Sequence, residues 1–274
     1  MSEQASLSKS KYQVGLIGVG VMGEALISGL ISSRFPKAQI VFTEKRVERA
    51  REISSKYGAR EVELTELAKT SDVILLVVKP QDLEQLLTSL GADLNKGAVL
   101  VSFAAGKTTD FISGIVGSEI SVIRVMPNTP TLIGLGMAAM SLGKAVNTEQ
   151  AKFVSDFLAT CGKVISIEEK LQDAVTALSG SGPAYFFAFI EEMIKSGISL
   201  GLSGEQATTL AIQTMIGSAA MLEQSGKSAT TLRENVTSPN GTTAAALKVF
   251  GEANLGEIVA RAMTAARDRS QELA

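Results

Sequence analysis

Three glycines spaced as Gly18-Val19-Gly20-Val21-Met22-Gly23, directly after the apolar run Val14-Gly15-Leu16-Ile17, have the spacing to hold a pyrophosphate. In such a turn the first glycine permits the tight bend and the second lets backbone come close to the phosphates. The third lets the next helix pack on the strand, so the phosphates rest on the helix N-terminus. A purely structural glycine turn is the alternative. The setting, at the head of an alternating strand and helix pattern, favours a dinucleotide. The second apolar run ends Thr43-Glu44-Lys45-Arg46, roughly 20 residues past the third glycine, where such a unit meets the adenosine ribose. Bases there suit a 2′-phosphate and an acid suits a 2′-hydroxyl. Lys45 and Arg46 therefore favour NADPH, and Glu44 leaves NADH open.

Further candidates stand where other apolar runs end, since ligands of open α/β sheets bind beyond the carboxyl ends of the strands. Val77-Val78-Lys79-Pro80 closes one run. Ala104-Ala105-Gly106 closes another, with small residues that leave room for a flat ring or a ribose. Met126-Pro127-Asn128-Thr129-Pro130 closes a third; its prolines either stiffen a loop for its own sake or present the Asn128 amide to a ligand. Later in the chain, 178–185 (Leu-Ser-Gly-Ser-Gly-Pro-Ala-Tyr) and 237–243 (Thr-Ser-Pro-Asn-Gly-Thr-Thr) place small polar residues before helix starts. Backbone N–H groups and hydroxyls there suit a carboxylate, and N-capping accounts for them equally well.

The elements that must position these residues alternate through the first half. Strands are expected at 13–17, 39–43, 73–78, 98–103 and 121–124, with helices at 22–31, 46–57, 81–90 and 108–116 between them. Two further strands, at 137–141 and 164–167, flank a helix at 149–159. Continuously apolar strands imply a parallel sheet covered on both faces. After about residue 168 strands stop. Helices are expected at 170–178, 184–200, 204–224, 244–250 and 256–273, with Ser203 and Gln206 spaced as a capping box. The expected organisation is a doubly wound, Rossmann-like parallel sheet over residues 1–165, then an all-helical domain over 166–274. Small residues crowd these helices, as at 211–220, in keeping with close helix packing, and a subunit contact would use the same property.

Composition narrows the function. In 274 residues there are 26 basic and 28 acidic side chains, which gives no electrostatic reason to expect nucleic acid or an anionic membrane. One cysteine, Cys161, rules out an intrachain disulfide framework, and the absence of histidine removes the usual zinc sites. No metal is expected. The polar start at 1–11 has no signal-like apolar core, and 174–190 is too interrupted for a membrane span, so a cytoplasmic, reducing location is expected. Lack of histidine also bears on mechanism. An alcohol dehydrogenase needs a base for the hydroxyl proton, usually His or Lys. A protonated C=N bond already attracts hydride, so a hydrogen-bonding hydroxyl near nitrogen suffices.

Taken in order, these motifs resemble those of pyrroline-5-carboxylate reductases, from Val14 to about Leu273. The resemblance rests on the glycine turn with Ile17, on 77–80, on 104–106 and on 124–130. It extends through 173–185 and through 235–243 (Asn-Val-Thr-Ser-Pro-Asn-Gly-Thr-Thr). It implies reduction of 1-pyrroline-5-carboxylate to L-proline with NAD(P)H, the final step of proline biosynthesis. By that resemblance Gly18, Gly20, Val21, Met22, Gly23, Val77, Val78, Lys79, Pro80, Ala104, Ala105, Gly106, Asn128 and Asn235 line the cofactor. Thr243 takes the catalytic, proton-handling role. Thr242 and Gly241 hold the substrate carboxylate, with Ser238 and Glu169 nearby. Interlocked homodimers through the helical domain are implied, with loop and cofactor supplied by different subunits, and a decamer of five dimers. Asn240 departs from the glycine usual there; asparagine tolerates positive φ better than most residues.

Two rivals make different demands. β-Hydroxyacid dehydrogenases resemble one another in a lysine four residues after the second glycine of a G-x-G segment. Phe186 stands there in this chain, and a phenyl ring transfers no proton. A non-catalytic nucleotide sensor would have no use for the intact 238–243 loop.

Overall fold

The structure, a computed structural model, describes residues 7–273; the first six residues of the polar start lie outside that range. Two compact units separate after Ser181, the first joined by the chain from Ala266 onward and the second formed by Gly182–Ala265.

In the first unit, β1 (Val14–Ile17), β2 (Ile40–Thr43), β3 (Arg60–Glu61), β4 (Val73–Leu76), β5 (Val99–Ser102), β6 (Ser121–Met126), β7 (Gly136–Leu142) and β8 (Gly162–Ser166) form one sheet. Their order is β3-β2-β1-β4-β5-β6-β7-β8. β1, β4, β5 and β6 are buried at every position, as parallel strands covered on both faces must be. Alternate residues divide between two cores. Leu16, Phe42, Leu75, Val101 and Ile123 face one side, and Val41, Ile74, Leu76, Leu100 and Val122 face the other. The helices that cover them include α1 (Val21–Ser32), α2 (Val47–Tyr57), α3 (Leu64–Thr70), α4 (Pro80–Leu90), α5 (Thr109–Val116) and α6 (Thr148–Ala159).

The sheet departs from the expected parallel pattern at one place. β7 runs antiparallel to β6, with Ile123 opposite Leu142 and Met126 opposite Ala139. The connection 127–135 carries only a 3₁₀ turn, Thr129–Ile133. Without a helix to return the chain, the next strand can only come back alongside its predecessor. The expected strands otherwise form within a few residues of their expected ends. β3 and α3 were not foreseen: two residues of strand and seven of helix are too short to show a period.

The expected division at 165/166 marks where strands stop, whereas the compact units part at 181/182. The intervening residues are bound to the sheet. In α7 (Gln172–Val175), buried Gln172 donates to the Ala139 carbonyl (3.2 Å) and to Ser141 Oγ (2.9 Å). Glu169 accepts from the Thr109 N–H (2.7 Å) and hydroxyl (2.6 Å), capping α5 alongside Thr108. A π-helical turn, Thr176–Gly180, leads out of this region.

The second unit is helical: α8 (Gly182–Ser199), α9 (Gly204–Gln224), α10 (Ala229–Asn235), α11 (Thr242–Glu252) and most of α12 (Leu255–Glu272). The Ser203–Gln206 capping box is present in both directions. Gly197 faces Ala207, where an added methyl would come within 3.2 Å of the alanine Cβ. α10 is a seven-residue helix that the sequence pattern did not reveal. Large apolar side chains stay open, among them Phe186, Phe187, Leu210, Ile216 and Val249. No described helix is long and apolar enough to cross a membrane.

Arg124, almost fully buried on β6, is the centre of one polar cluster in the first unit. Its guanidinium lies 3.4 Å from Asp173 and 3.7 Å from Glu169, and Asp173 also accepts from Ser270 Oγ at 2.8 Å. Removing Arg124 takes the cation away from both the Glu169 and the Asp173 carboxylates. Arg124→Met should lower the unfolding free energy by about 3 kcal/mol, read from urea denaturation.

Candidate functional site

The sheet order reverses between β1 and β4, one strand running on to β2 and the other to β5. Beyond the carboxyl ends of these strands a crevice of about 1140 Å³ opens. That is the position where open α/β sheets take their ligands.

Its floor is the glycine turn, and each glycine meets a separate demand. Gly18 has φ +89°, a conformation that side chains rarely adopt, and its N–H donates to the Thr43 carbonyl at 3.0 Å. A Cβ at Gly23 would run into the Gly18 carbonyl oxygen. A Cβ at Gly20 would meet nothing, because that side faces the open crevice. α1 then starts at Val21 with no side-chain cap, so its first N–H groups keep their hydrogen-bonding capacity for a ligand. This cradle of bare backbone at a helix N-terminus fits a pyrophosphate.

Of the expected cofactor residues, Gly18, Gly20, Val21, Met22, Lys45, Arg46, Val77, Val78, Lys79 and Ala105 line this crevice. The other candidates in this unit have different settings. Gly23 is buried behind the turn. Pro80 is the first residue of α4 and sets the helix start after Lys79. Ala104 is buried, with its N–H toward Ser102 Oγ at 3.3 Å, and Gly106 supplies a positive φ of 77°. Asn128 does not line the crevice; its side-chain oxygen accepts from the Met137 N–H at 2.8 Å and fastens the proline loop to β7. The carboxylate of Glu169 is taken up by Thr109 and Arg124. Sequence reasoning missed Asp82, Gln85, Leu86 and Ser89, which share one side of α4 toward the crevice. Their spacing of three, four and seven residues was the available signal.

Glu44 joins the glycine turn to Arg46. Its Oε2 accepts from the Val19 N–H at 3.0 Å, and its Oε1 accepts from the Arg46 N–H (3.2 Å) and Nε (3.1 Å). Burial works to raise the Glu44 carboxyl, but bonds from Arg46 and from the backbone outweigh it, so the group ionises below its ordinary range. Arg46 and Lys45 line the crevice with exposed side chains, Arg46 held to Glu44 through its Nε.

The second unit holds the other candidates. Asn235 is exposed at the last residue of α10. Asn240 has φ +59°, so asparagine does occupy the left-handed conformation that the loop requires. Gly241 precedes α11, and a Cβ there would meet Ser238 Oγ at 2.5 Å. One expected contact changes. The Gly241 N–H donates to the Ser238 carbonyl at 3.0 Å and is spent inside the turn. The N–H groups of Thr242 and Thr243, in the first turn of a helix without a side-chain cap, carry the anion-binding capacity instead.

Residues 169–273 match the family model described as pyrroline-5-carboxylate reductase dimerisation, and 13–106 match NADP oxidoreductase, coenzyme F420-dependent. The chain is 38% identical to the pyrroline-5-carboxylate reductase of Corynebacterium melassecola, over 95% of its length and 98% of the relative's. It is 37% identical to pyrroline-5-carboxylate reductase 1 of Bacillus subtilis (strain 168), over 95% and 89%. A crystal structure of Plasmodium falciparum pyrroline carboxylate reductase with NADP bound superposes with a TM-score of 0.88, at 32% identity over 96% and 98% of the two chains.

Gly20→Asp puts a carboxylate into the space facing the phosphates. Its backbone conformation is open to any residue, so the melting temperature should hold while dinucleotide affinity falls more than tenfold in calorimetric titration.

Proposed function

The chain belongs to the pyrroline-5-carboxylate reductase family and reduces 1-pyrroline-5-carboxylate to L-proline with NAD(P)H, the final step of proline biosynthesis, and we propose that its residues divide this work as follows. The glycine turn holds the pyrophosphate through the N–H groups of Gly20, Val21 and Met22. Val77, Val78, Lys79 and Ala105 form the walls beside the nucleotide. Lys45 and Arg46 meet the 2′-phosphate, which favours NADPH, while Glu44 keeps NADH usable. The bare backbone cradle at Gly18–Gly23, in the crevice where the strand order reverses, is the observation that carries this half.

The 238–243 segment takes the substrate. Thr242 and Thr243 hold its carboxylate through backbone N–H groups, with Ser238 and Gly241 shaping the turn. A nicotinamide held in the crevice would supply the hydride to the imine carbon. The Thr243 hydroxyl hydrogen-bonds the ring nitrogen and keeps the proton of the protonated imine at the atom that becomes the amine. Asn235 and Asn128 act as supports of their loops, and Glu169 orders the chain leading to the helical unit.

The exposed apolar faces of the helices support a homodimer through this unit, and five such dimers would make the decamer expected of the family. In it the substrate loop of one subunit serves the cofactor of the other. A cytoplasmic location is in keeping with a single cysteine, Cys161, held as a buried thiol.

Purified protein should oxidise NADPH when given pyrroline-5-carboxylate; a folded sample with no turnover on either reduced cofactor would sink this reading. Thr243→Ala should cut kcat on the order of a hundredfold, the scale of a lost proton-handling group, with cofactor Kd unchanged. Equal effects on both would remove Thr243 from its role.

Shared sites predict complementation. Assayed below the raised cofactor Kd, Gly20→Asp should be nearly silent alone, and Thr243→Ala should keep about a hundredth of wild-type turnover. Reassociated after mixing in equal amounts, they should recover about a quarter of wild-type activity, since half of the dimers pair unlike chains with one complete site each. No recovery would mean that each subunit supplies its own loop.

A further inference from the structure

Both polar backbone groups of Val19, the residue between the first two glycines, are taken by side chains from the second strand–helix unit. Its N–H goes to Glu44, at the end of β2. Its carbonyl accepts from Arg49 Nε, on α2, at 2.8 Å. The same guanidinium reaches on to the Gly20 carbonyl at 3.4 Å, which also accepts from the Glu24 N–H inside α1 at 2.9 Å. Arg49 is not among the residues that line the crevice, and Val19 is fully buried.

The geometry points to Arg49, with Glu44, as positioning residues that aim the pyrophosphate-binding N–H groups of the turn. In a trans peptide the carbonyl and the N–H point to opposite edges of one plane. No described peptide is cis. The Val19 carbonyl shares its plane with the Gly20 N–H, and the Gly20 carbonyl shares its plane with the Val21 N–H. A guanidinium that holds those two carbonyls from behind therefore turns the two N–H groups toward the crevice that Gly20 and Val21 line. It also polarises both amides and strengthens them as donors. Glu44 fixes the remaining edge of Val19, so the turn cannot rotate as a unit.

Arg49 is itself held. It pairs with Glu24 on α1 and with Glu52 on its own helix (2.7 Å). Glu24 in turn accepts from Lys56 (2.8 Å) and Tyr57 (2.9 Å). Lys56, working against burial and joined by Arg49 and Tyr57, pulls the Glu24 carboxyl down to about 2, so this anchor stays charged at any physiological pH. Two carboxylates and two cations nearly cancel, so Arg49 serves by direction rather than as a lure for anions. This sets it apart from Lys45 and Arg46, which face the crevice with exposed charge.

This inference rests on the dinucleotide reading of the crevice and separates from it experimentally. NADPH and NADH are titrated calorimetrically, without substrate, into the wild-type oligomer and into Arg49→Met, Arg49→Lys and Arg46→Ala. Kinetic constants and melting temperatures are measured beside them. A wild type that binds neither cofactor overturns the dinucleotide reading and this inference with it. Given wild-type binding, Arg49→Met should raise Kd and KM for both cofactors by a similar factor, on the order of tenfold, because the turn serves the pyrophosphate they share. At saturating cofactor kcat should change far less than KM. Arg46→Ala should weaken NADPH alone. Arg49→Lys, one point charge in place of a fork, should keep the melting temperature and recover only part of the affinity. The inference fails if Arg49→Met binds both cofactors as the wild type does, or loses NADPH alone, which would make Arg49 a direct 2′-phosphate ligand. It also fails if Arg49→Lys shows full affinity. If Arg49→Met does not fold, the lysine variant decides.

Discussion

A doubly charged pyrophosphate must be met by bare backbone, and the structure around β1 follows from that need. Side chains have to be absent in front of the turn, which accounts for the open space at Gly20. The bend must be sharp enough to start α1 at once, which accounts for the left-handed φ of Gly18. Yet glycines remove the steric limits that normally hold a chain in place. Order is restored from outside the turn: Val19 is sealed in the core, its N–H goes to Glu44 and its carbonyl to Arg49. Flexibility at the ligand face and rigidity behind it are therefore supplied by different residues. Both supports come from the β2–α2 unit, and the turn between β2 and α2 also carries Lys45 and Arg46 to the crevice.

The same separation explains what could be read from the sequence. Glycine spacing, the β-branched runs and the change to helices after 167 reveal themselves locally, so the sheet and the cofactor cradle were legible. What depends on distant partners was not. Asn128 looked like a ligand-presenting amide, and only β7, nine residues on, shows that its oxygen belongs to Met137. Glu169 was expected near the substrate only through the resemblance, and its bonds to Thr109, sixty residues earlier, could not be read from the sequence. Gly241 and Ser238 are close in sequence, but the turn that consumes the Gly241 N–H follows from the loop's own conformation rather than from residue types. Arg49 passes as an ordinary charged residue on an exposed helix. Nothing in its spacing distinguishes it from Arg51 on the same helix.

The boundary between the units follows similar logic. Secondary structure changes type after β8, yet 168–181 stays with the sheet because its polar groups are committed there. Gln172 bonds β7, Glu169 caps α5, and Asp173 shares Arg124 with Glu169 while holding Ser270 near the end of α12. Arg124 is buried, so its carboxylate partners are a requirement of folding rather than an ornament of the surface. Two stretches far apart in sequence are thereby gathered on one guanidinium. The segments that flank Gly182–Ala265 in the chain both belong to the sheet unit.

The absence of histidine, and of any acid or amine within the 238–243 loop, narrows the chemistry. The chain has no histidine, and its single thiol is buried, with burial raising it above the ordinary cysteine value. A threonine hydroxyl neither ionises nor accepts a full proton near neutrality; it donates and accepts hydrogen bonds. Chemistry built on Thr243 therefore needs a substrate that brings its own polarisation. A protonated cyclic imine does so: its positive nitrogen draws hydride to carbon, and the proton is already on the atom where it must remain. An alcohol or ketone pair would demand a group that exchanges a proton during the step, and the candidate residues offer none at the 238–243 loop. A loop whose hydroxyls only exchange hydrogen bonds thus suits C=N reduction better than C=O reduction.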